Sequence, residues 1–294
     1  NDKSVLGLAS KTNNPRFAWD AYRRFIQMFG DVAMGVPHDE FEAAISAVKA
    51  KKNLKLDTEM DTSDLQELVS KYKVIYKNHT GKDFPQNPKE QMWHAIDAVF
   101  GSWMNARAIK YRELNNIKGL KGTAVTVMAM VFGNKGETSG TGVCFSRDPG
   151  NGKNEFMGEY LMNAQGEDVV AGIRTPQKLA QLEQTNAKIY KQLCDVRAKL
   201  EKHYRDMQDM EFTVEEGTLY MLQCRNGKRT GAAAVKMAVD MVAEKLITKD
   251  EAILRVEPEQ LDQLLHPALD PKVVKATEAI AEGLNASPGA GSGQ

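Results

Sequence analysis

An excess of charge of either sign is missing from this chain: Lys+Arg and Asp+Glu both number 39 over 294 residues. Without a basic surplus, no overall field points to nucleic acid or to an anionic membrane. Apolar runs are short, and none approaches the roughly 18–20 residues that a membrane span needs. Cysteine is scarce too: Cys144, Cys194 and Cys224 are widely spaced, with no Cys-x-x-Cys. That pattern indicates neither a zinc site nor a disulfide framework. It predicts reduced thiols packed as small hydrophobes in an intracellular compartment, the cytoplasm first, with a plastid or other organelle open. The five histidines, His38, His79, His94, His203 and His266, are scattered and suggest no metal cluster. The opening Asn1-Asp2-Lys3-Ser4 carries neither an initiator Met nor a signal peptide, which predicts a start inside a longer polypeptide.

What is present is an ordinary folded composition, 42% hydrophobic and 7% aromatic. Residues 1–86 read as a helical subdomain, with Phe17, Tyr22, Phe25, Ile26 and Phe29 at near-helical spacing. Ser63, with Gln66 as capping-box partner, predicts a second helix start, and Thr80-Gly81 its stop. Asn87-Pro88-Lys89-Glu90 is another start, for a helix expected to bury Met92, Ile96, Val99 and Phe100. The texture then turns β-rich: strands are expected at 123–132, 142–146 and 155–163. One long amphipathic helix is expected from Leu179 to Tyr204, then a hairpin with its turn near Glu216-Gly217. Thr230–Ile247 reads as helix, Thr248 and Glu251 as a capping box, and the Pro/Gly/Ser-rich end as a linker. The fold class is therefore α+β with antiparallel strands: a helical subdomain at 1–86, a strand-bearing lobe at 87–240 and a helical connector at 241–294.

The hairpin carries the most chemistry. Strand alternation places Asp209 and Glu211 on one face of its first strand, and Gln223 and Arg225 on one face of its second. An odd-numbered turn would set Glu211 opposite Gln223 and Asp209 opposite Arg225. Such a patch suits a Mg²⁺ held by few protein oxygens, with a cation beside it for phosphate charge. A solvated face with a cross-strand Asp–Arg pair explains the same residues. The glycine-rich stretch 133–142, including Gly140, Thr141 and Gly142, allows close backbone approach, and its hydroxyls and Lys135 can donate to phosphate. It matches neither the Walker A pattern nor the dinucleotide fingerprint, and an ordinary turn is the alternative. In the segment 163–172, Glu167 can hold a ribose and Val169 can pack on adenine, or the segment is a surface turn entering a strand.

Three long segments, GTAVTVMAMVFGNKGETSGTGVCFSRDP, GEYLMNAQGEDVVAGIRTPQ and DMQDMEFTVEEGTLYMLQCRNGKRT, closely resemble the nucleotide-binding region of the pyruvate, phosphate dikinase family. FAWDAYRRFIQMFGDVAMGVP upstream, and LDQLLHP and LNASPGAGSG downstream, follow in the same order. The resemblance implies an ATP-grasp-like lobe, Mg²⁺, and ATP and phosphate as ligands. It implies that ATP phosphorylates a histidine on a swivelling domain of the same polypeptide, in an enzyme that is a homodimer. The family's polar cluster maps to Asp209, Glu211, Gln223 and Arg225, with Glu211 and Gln223 toward the metal and Arg225 in the catalytic role. The Gly-rich strand connection maps to Gly140, Thr141 and Gly142, and the adenosine end to Glu167 and Val169. A Gly-Gly-Lys-Gly element, a Val-Arg-Ser-Gly element and a Thr-Ser-His element of the family have no counterpart here, so the chain alone is expected to show no turnover. Phosphoenolpyruvate synthases, glucan, water dikinases and a non-catalytic helical module are the rival readings.

Overall fold

The computed structural model describes residues 1–170, 174–265 and the single positions 273, 276, 277 and 281. The chain divides into two compact units, one covering Asn1–Ala129 and one beginning at Met130. Among the described residues, no helix is long and apolar enough to cross a membrane.

The first unit is helical: α1 (Asp2–Thr12), α2 (Pro15–Met28), α3 (His38–Lys51), α4 (Thr62–Thr80), α5 (Pro88–Ser102) and α6 (Ala106–Leu114). Helix α2 starts because the Asn14 side chain accepts from the Phe17 amide and Pro15 presets the first turn. Its buried face meets α3 and α4 in a core that includes Tyr22, Ile26, Phe41, Leu68 and Tyr72. Phe41 and Tyr72 pack edge-on with centroids 4.9 Å apart, a favoured aromatic geometry. Charges buried beside this core are paired, Arg23 Nε with Asp20 at 2.8 Å and Arg23 Nη2 with Asp57 at 3.0 Å.

The second unit is a five-stranded antiparallel sheet in the order β3-β2-β1-β4-β5. Its elements are β1 (Gly140–Phe145), β2 (Met157–Met162), α7 (Gly166–Val170), β3 (Gln177–Lys178), α8 (Leu182–Thr185), α9 (Ala187–Tyr204), β4 (Gln208–Glu215) and β5 (Thr218–Asn226). Helices α10 (Gly231–Ala243), α11 (Lys249–Arg255) and α12 (Pro258–Leu265) follow. Ile189 and Leu193 of α9 pack against Cys144, Tyr160, Met210, Phe212 and Val214, which covers one face of the sheet. The α+β class with antiparallel strands is therefore observed. The LNASPGAGSG stretch and His266 lie outside the described residues.

Several local expectations are corrected. Residues 123–132 form no strand: no described strand pairs with them, and Val127, Met128 and Met130 are exposed. Their β-branched composition is a preference that needs a partner ladder to act on. Helix α5 leaves Met92, Val99 and Phe100 exposed rather than burying them. The expected single helix from Leu179 is broken at Asn186, whose side chain caps α9 through the Ile189 amide. Helix α4 is capped by Asp61, not Ser63: Asp61 accepts from the Asp64 amide while Asp64 accepts in return. The carboxylate outcompetes the hydroxyl because it also faces the positive end of the helix dipole. By contrast Asn87 and Thr248 cap α5 and α11 as the sequence predicts.

Cap assignment gives a direct test by urea unfolding. Asp61→Ala should cost about 1 kcal/mol, whereas Ser63→Ala, which removes only a hydroxyl donating to Asp61 Oδ1 at 2.7 Å and leaves the cap itself in place, should cost about half as much or less.

Candidate nucleotide-binding face

The site is built by the β4–β5 hairpin. Alternation along β4 turns Met210, Phe212 and Val214 into the α9 core and leaves Asp209, Glu211 and Thr213 on the opposite face. The turn is the two-residue Glu216-Gly217, and both residues have positive φ, 49° and 77°, as a type I′ hairpin requires. The pairing leaves this turn as Glu215 with Thr218 and continues to Phe212 with Met221. There it shifts: the next partners are Glu211 with Gln223, then Asp209 with Arg225. Leu222 is the extra residue of a β-bulge. The predicted pairs are therefore observed, but the odd residue sits in the bulge and not in the turn.

Across this face, Arg225 Nε donates to Asp209 Oδ2 at 2.7 Å. The Asp209 side chain is 12% exposed and that of Arg225 60%, so the anion is sheltered and the cation reaches outward. Glu211 is half-buried and Gln223 exposed beside it. Val143 of β1 pairs with both Glu211 and Glu159, which adds Glu159 to the same row. Sequence reading missed Glu159 and Thr213, although Thr213 stands two positions from Glu211 and alternation alone could have placed it.

Gly140, Thr141 and Gly142 lie in β1, the strand between β2 and β4, so their backbone is engaged on both sides. The Thr141 hydroxyl is buried, donating to the Phe212 carbonyl at 2.9 Å and lying 3.1 Å from Thr213 Oγ1. At Gly142 a Cβ would come within 2.6 Å of both the Glu159 carbonyl and the Phe212 ring. Packing alone demands glycine there.

The glycine-rich loop before β1 is bonded to the hairpin turn. Lys135 Nζ pairs with Glu215 and, at 3.2 Å, with Glu216. Further bonds run from the Phe132 amide to Glu215 at 2.7 Å, the Glu216 amide to Ser139 Oγ at 3.0 Å and the Gly217 amide to the Thr138 carbonyl at 2.9 Å. The loop is a latch on the hairpin turn, at the far end from Asp209 and Arg225. The segment holding Glu167 and Val169 is the short helix α7, not a turn entering a strand: Asp168 caps it by accepting from the Gln165 amide at 2.8 Å. Glu167 is exposed and Val169 half-buried on that helix, which packs beside β1 and β2.

A buried ion cluster stands at the other end of the hairpin. Arg147 is fully buried, its Nε and Nη2 donating to the two Glu201 oxygens at 2.9 and 3.0 Å. Its Nη1 donates to Glu244 at 3.0 Å. Ser146 Oγ donates to Glu201 at 2.9 Å and accepts from the Gln208 amide at 2.9 Å. Nothing in the sequence patterning singled out these residues. Among the described residues, no group of three or more His, Cys, Asp or Glu side chains gathers as a metal cage.

Against known proteins, residues 84–192 and 180–246 match the family described as pyruvate phosphate dikinase, AMP/ATP-binding domain. The whole chain is similar to pyruvate, phosphate dikinase from Clostridium symbiosum, 57% identical over 295 residues and spanning 34% of that protein. It is 53% identical to the chloroplastic pyruvate, phosphate dikinase 1 of Arabidopsis thaliana, over 30% of its length. A similar match, 54%, links it to pyruvate, phosphate dikinase 2 of Oryza sativa subsp. japonica, over 33% of that chain. The chain thus spans about a third of the curated relatives it matches.

Thiol chemistry tests the packed face of the sheet. Burial, with the Asp209 and Cys194 charges adding to it, pushes the Cys144 thiol up from 9.0 to about 12. The folded state thus holds this proton more tightly than the unfolded state does. That contribution to stability is complete below pH 9.0 and is lost as pH climbs toward about 12. Cys144 should react with a thiol reagent at pH 8 roughly 10³-fold more slowly than a free thiol. The stability advantage of the wild type over Cys144→Ala should shrink across that alkaline window, as read from urea midpoints.

Proposed function

The chain belongs to the pyruvate phosphate dikinase AMP/ATP-binding family, and on that premise we propose that its hairpin face grips Mg·ATP in a dikinase. The observation that carries this reading is the register that sets Asp209 opposite Arg225 and Glu211 opposite Gln223 on one accessible face. In the proposed reaction, ATP, phosphate and pyruvate yield AMP, pyrophosphate and phosphoenolpyruvate. A histidine on a swivelling domain of the same polypeptide carries the phosphoryl group, and the whole enzyme is a homodimer. The relatives' names specify phosphate, which supports phosphate over water as the second acceptor. The free thiols of Cys144, Cys194 and Cys224 support a cytoplasmic or plastid setting.

The lobe is read as ATP-grasp-like, with the sheet as one wall of the nucleotide cleft. Phosphoryl transfer needs positioning and charge neutralisation more than covalent chemistry from the protein. Arg225 supplies the cation, and its bond to Asp209 fixes the guanidinium before the phosphates arrive. Glu211 and Gln223 offer one carboxylate and one carboxamide oxygen from directly opposed positions. That donor set fits Mg²⁺, which takes few protein oxygens and completes its shell with water and phosphate. When bound, the metal neutralises charge on the phosphate oxygens. Gly140, Thr141 and Gly142 form the floor beneath, since the Thr141 hydroxyl is already committed within the sheet. Glu167 and Val169 on α7 are assigned to the ribose and adenine end.

Substitutions in the dikinase that carries this chain test the assignment. Arg225→Ala and Glu211→Gln should each lower phosphate-dependent AMP and pyrophosphate formation by on the order of 10²-fold. Glu211→Gln should also raise the Mg²⁺ concentration giving half-maximal rate. Unchanged rates in both variants would remove the hairpin face from the site.

A further inference from the structure

The Arg147 cluster sits where the hairpin opens, and stability does not account for it. A fully buried guanidinium and the Glu201 carboxylate, 11% exposed, must be stripped of water, while Glu244 keeps 34% of its side-chain exposure; apolar residues of the same volume would often be as stable or more so. What such a network can supply is a single fixed arrangement. Its bonds lead toward the site face. The Gln208 amide donates to Ser146 Oγ, and the Ser146 amide returns a bond to the Gln208 carbonyl at 2.9 Å. Gln208 Nε2 donates to Asn226 Oδ1 at 3.0 Å, tying the two strands at their open end. Gln208 and Asn226 are the immediate neighbours of Asp209 and Arg225. On the other side the cluster holds Glu201 near the end of α9 and Glu244 at the end of α10. The α10 end is itself linked to Asn154, which donates to Glu244 at 3.1 Å.

We propose that Arg147 is a positioning residue for the nucleotide wall. Clamped between Glu201 and Glu244, it fixes through Ser146 and Gln208 the strand ends on which Asp209 and Arg225 stand. The inference rests on the reading of that wall as the Mg·ATP site. It adds a residue that touches neither nucleotide nor metal and acts through the placement of those that do.

Three variants of the dikinase that carries this chain decide it: Arg225→Ala, Ser146→Ala and Arg147→Lys. Each is measured for kcat, for KM with ATP and with pyruvate, and for thermal midpoint. Ser146→Ala and Arg147→Lys should lower kcat/KM for ATP about tenfold while KM for pyruvate stays unchanged. Amide exchange in this chain should speed up at Asp209, Glu211, Gln223 and Arg225, and not at Ile189 or Leu193. If Arg225→Ala is impaired but the other two keep kcat/KM for ATP within about twofold, the positioning role is overturned and the wall stands. If Arg225→Ala itself is unimpaired, the wall reading fails and the positioning role falls with it. Should Arg147→Lys not fold, Ser146→Ala decides alone, because it preserves the bonds between Arg147 and its two carboxylates.

Discussion

The polar row of the hairpin depends on one extra residue in β5. The strands leave the turn in a register that would, if continued, set Asp209 opposite Cys224 and Glu211 opposite Leu222. The bulge at Leu222 moves the pairing by one, so Asp209 meets Arg225 and Glu211 meets Gln223. Because side chains alternate, a one-residue slip exchanges the two faces of a strand. Without the bulge, Cys224 and Leu222 would join the polar row, and Arg225 and Gln223 would turn toward the α9 core. Burying that guanidinium without a partner would cost several kcal/mol. The apolar core beneath and the polar face above therefore enforce the same register, and each makes the other possible.

The two faces also divide the demands on residue type. On the packed side, Gly142 leaves room for the Phe212 ring and the Glu159 carbonyl, while Cys144 is fully buried among the same core residues. On the open side, Thr141 and Thr213 satisfy each other, so the floor near the turn presents no unmet polar group. The Lys135 latch stabilises the turn end, and the Arg147 cluster holds the open end. Asp209 and Arg225 lie next to the second of these anchors, so their cross-strand pair stands on the more firmly held end of the hairpin.

Much of this was legible from residues alone, for identifiable reasons. Alternation placed Asp209 with Glu211 and Gln223 with Arg225 on shared faces, but their pairing across the strands was expected from an odd-numbered turn, and the bulge at Leu222, not the turn, supplies the odd residue. The caps at Asn87 and Thr248 followed because a capping side chain acts within three residues. Non-local effects were not legible. The expected strand at 123–132 lacked a partner, and strand formation depends on what lies alongside. Lys135 looked available for phosphate until the fold brought Glu215 and Glu216, some 80 residues away, to its ammonium group. Arg147 gave no local sign at all, since its carboxylates come from helices 54 and 97 residues downstream. Asp61 and Ser63 were a finer failure, decided by charge at a helix end rather than by hydrogen-bonding capacity.

Placing the polar wall on β5 also answers a general problem of sheets. Among the described residues strand β5 is an edge, and an edge exposes unpaired amides and carbonyls that invite association with another strand. Its exposed Tyr220 and Leu222 would favour such pairing. The bulge interrupts the regular spacing that an incoming strand would need, and the exposed Gln223 and Arg225 make its approach unfavourable. A ligand-binding row needs access to solvent, and an edge needs polar side chains and an irregularity. In this hairpin Gln223 and Arg225 meet both requirements at once, being exposed, polar and next to the bulge.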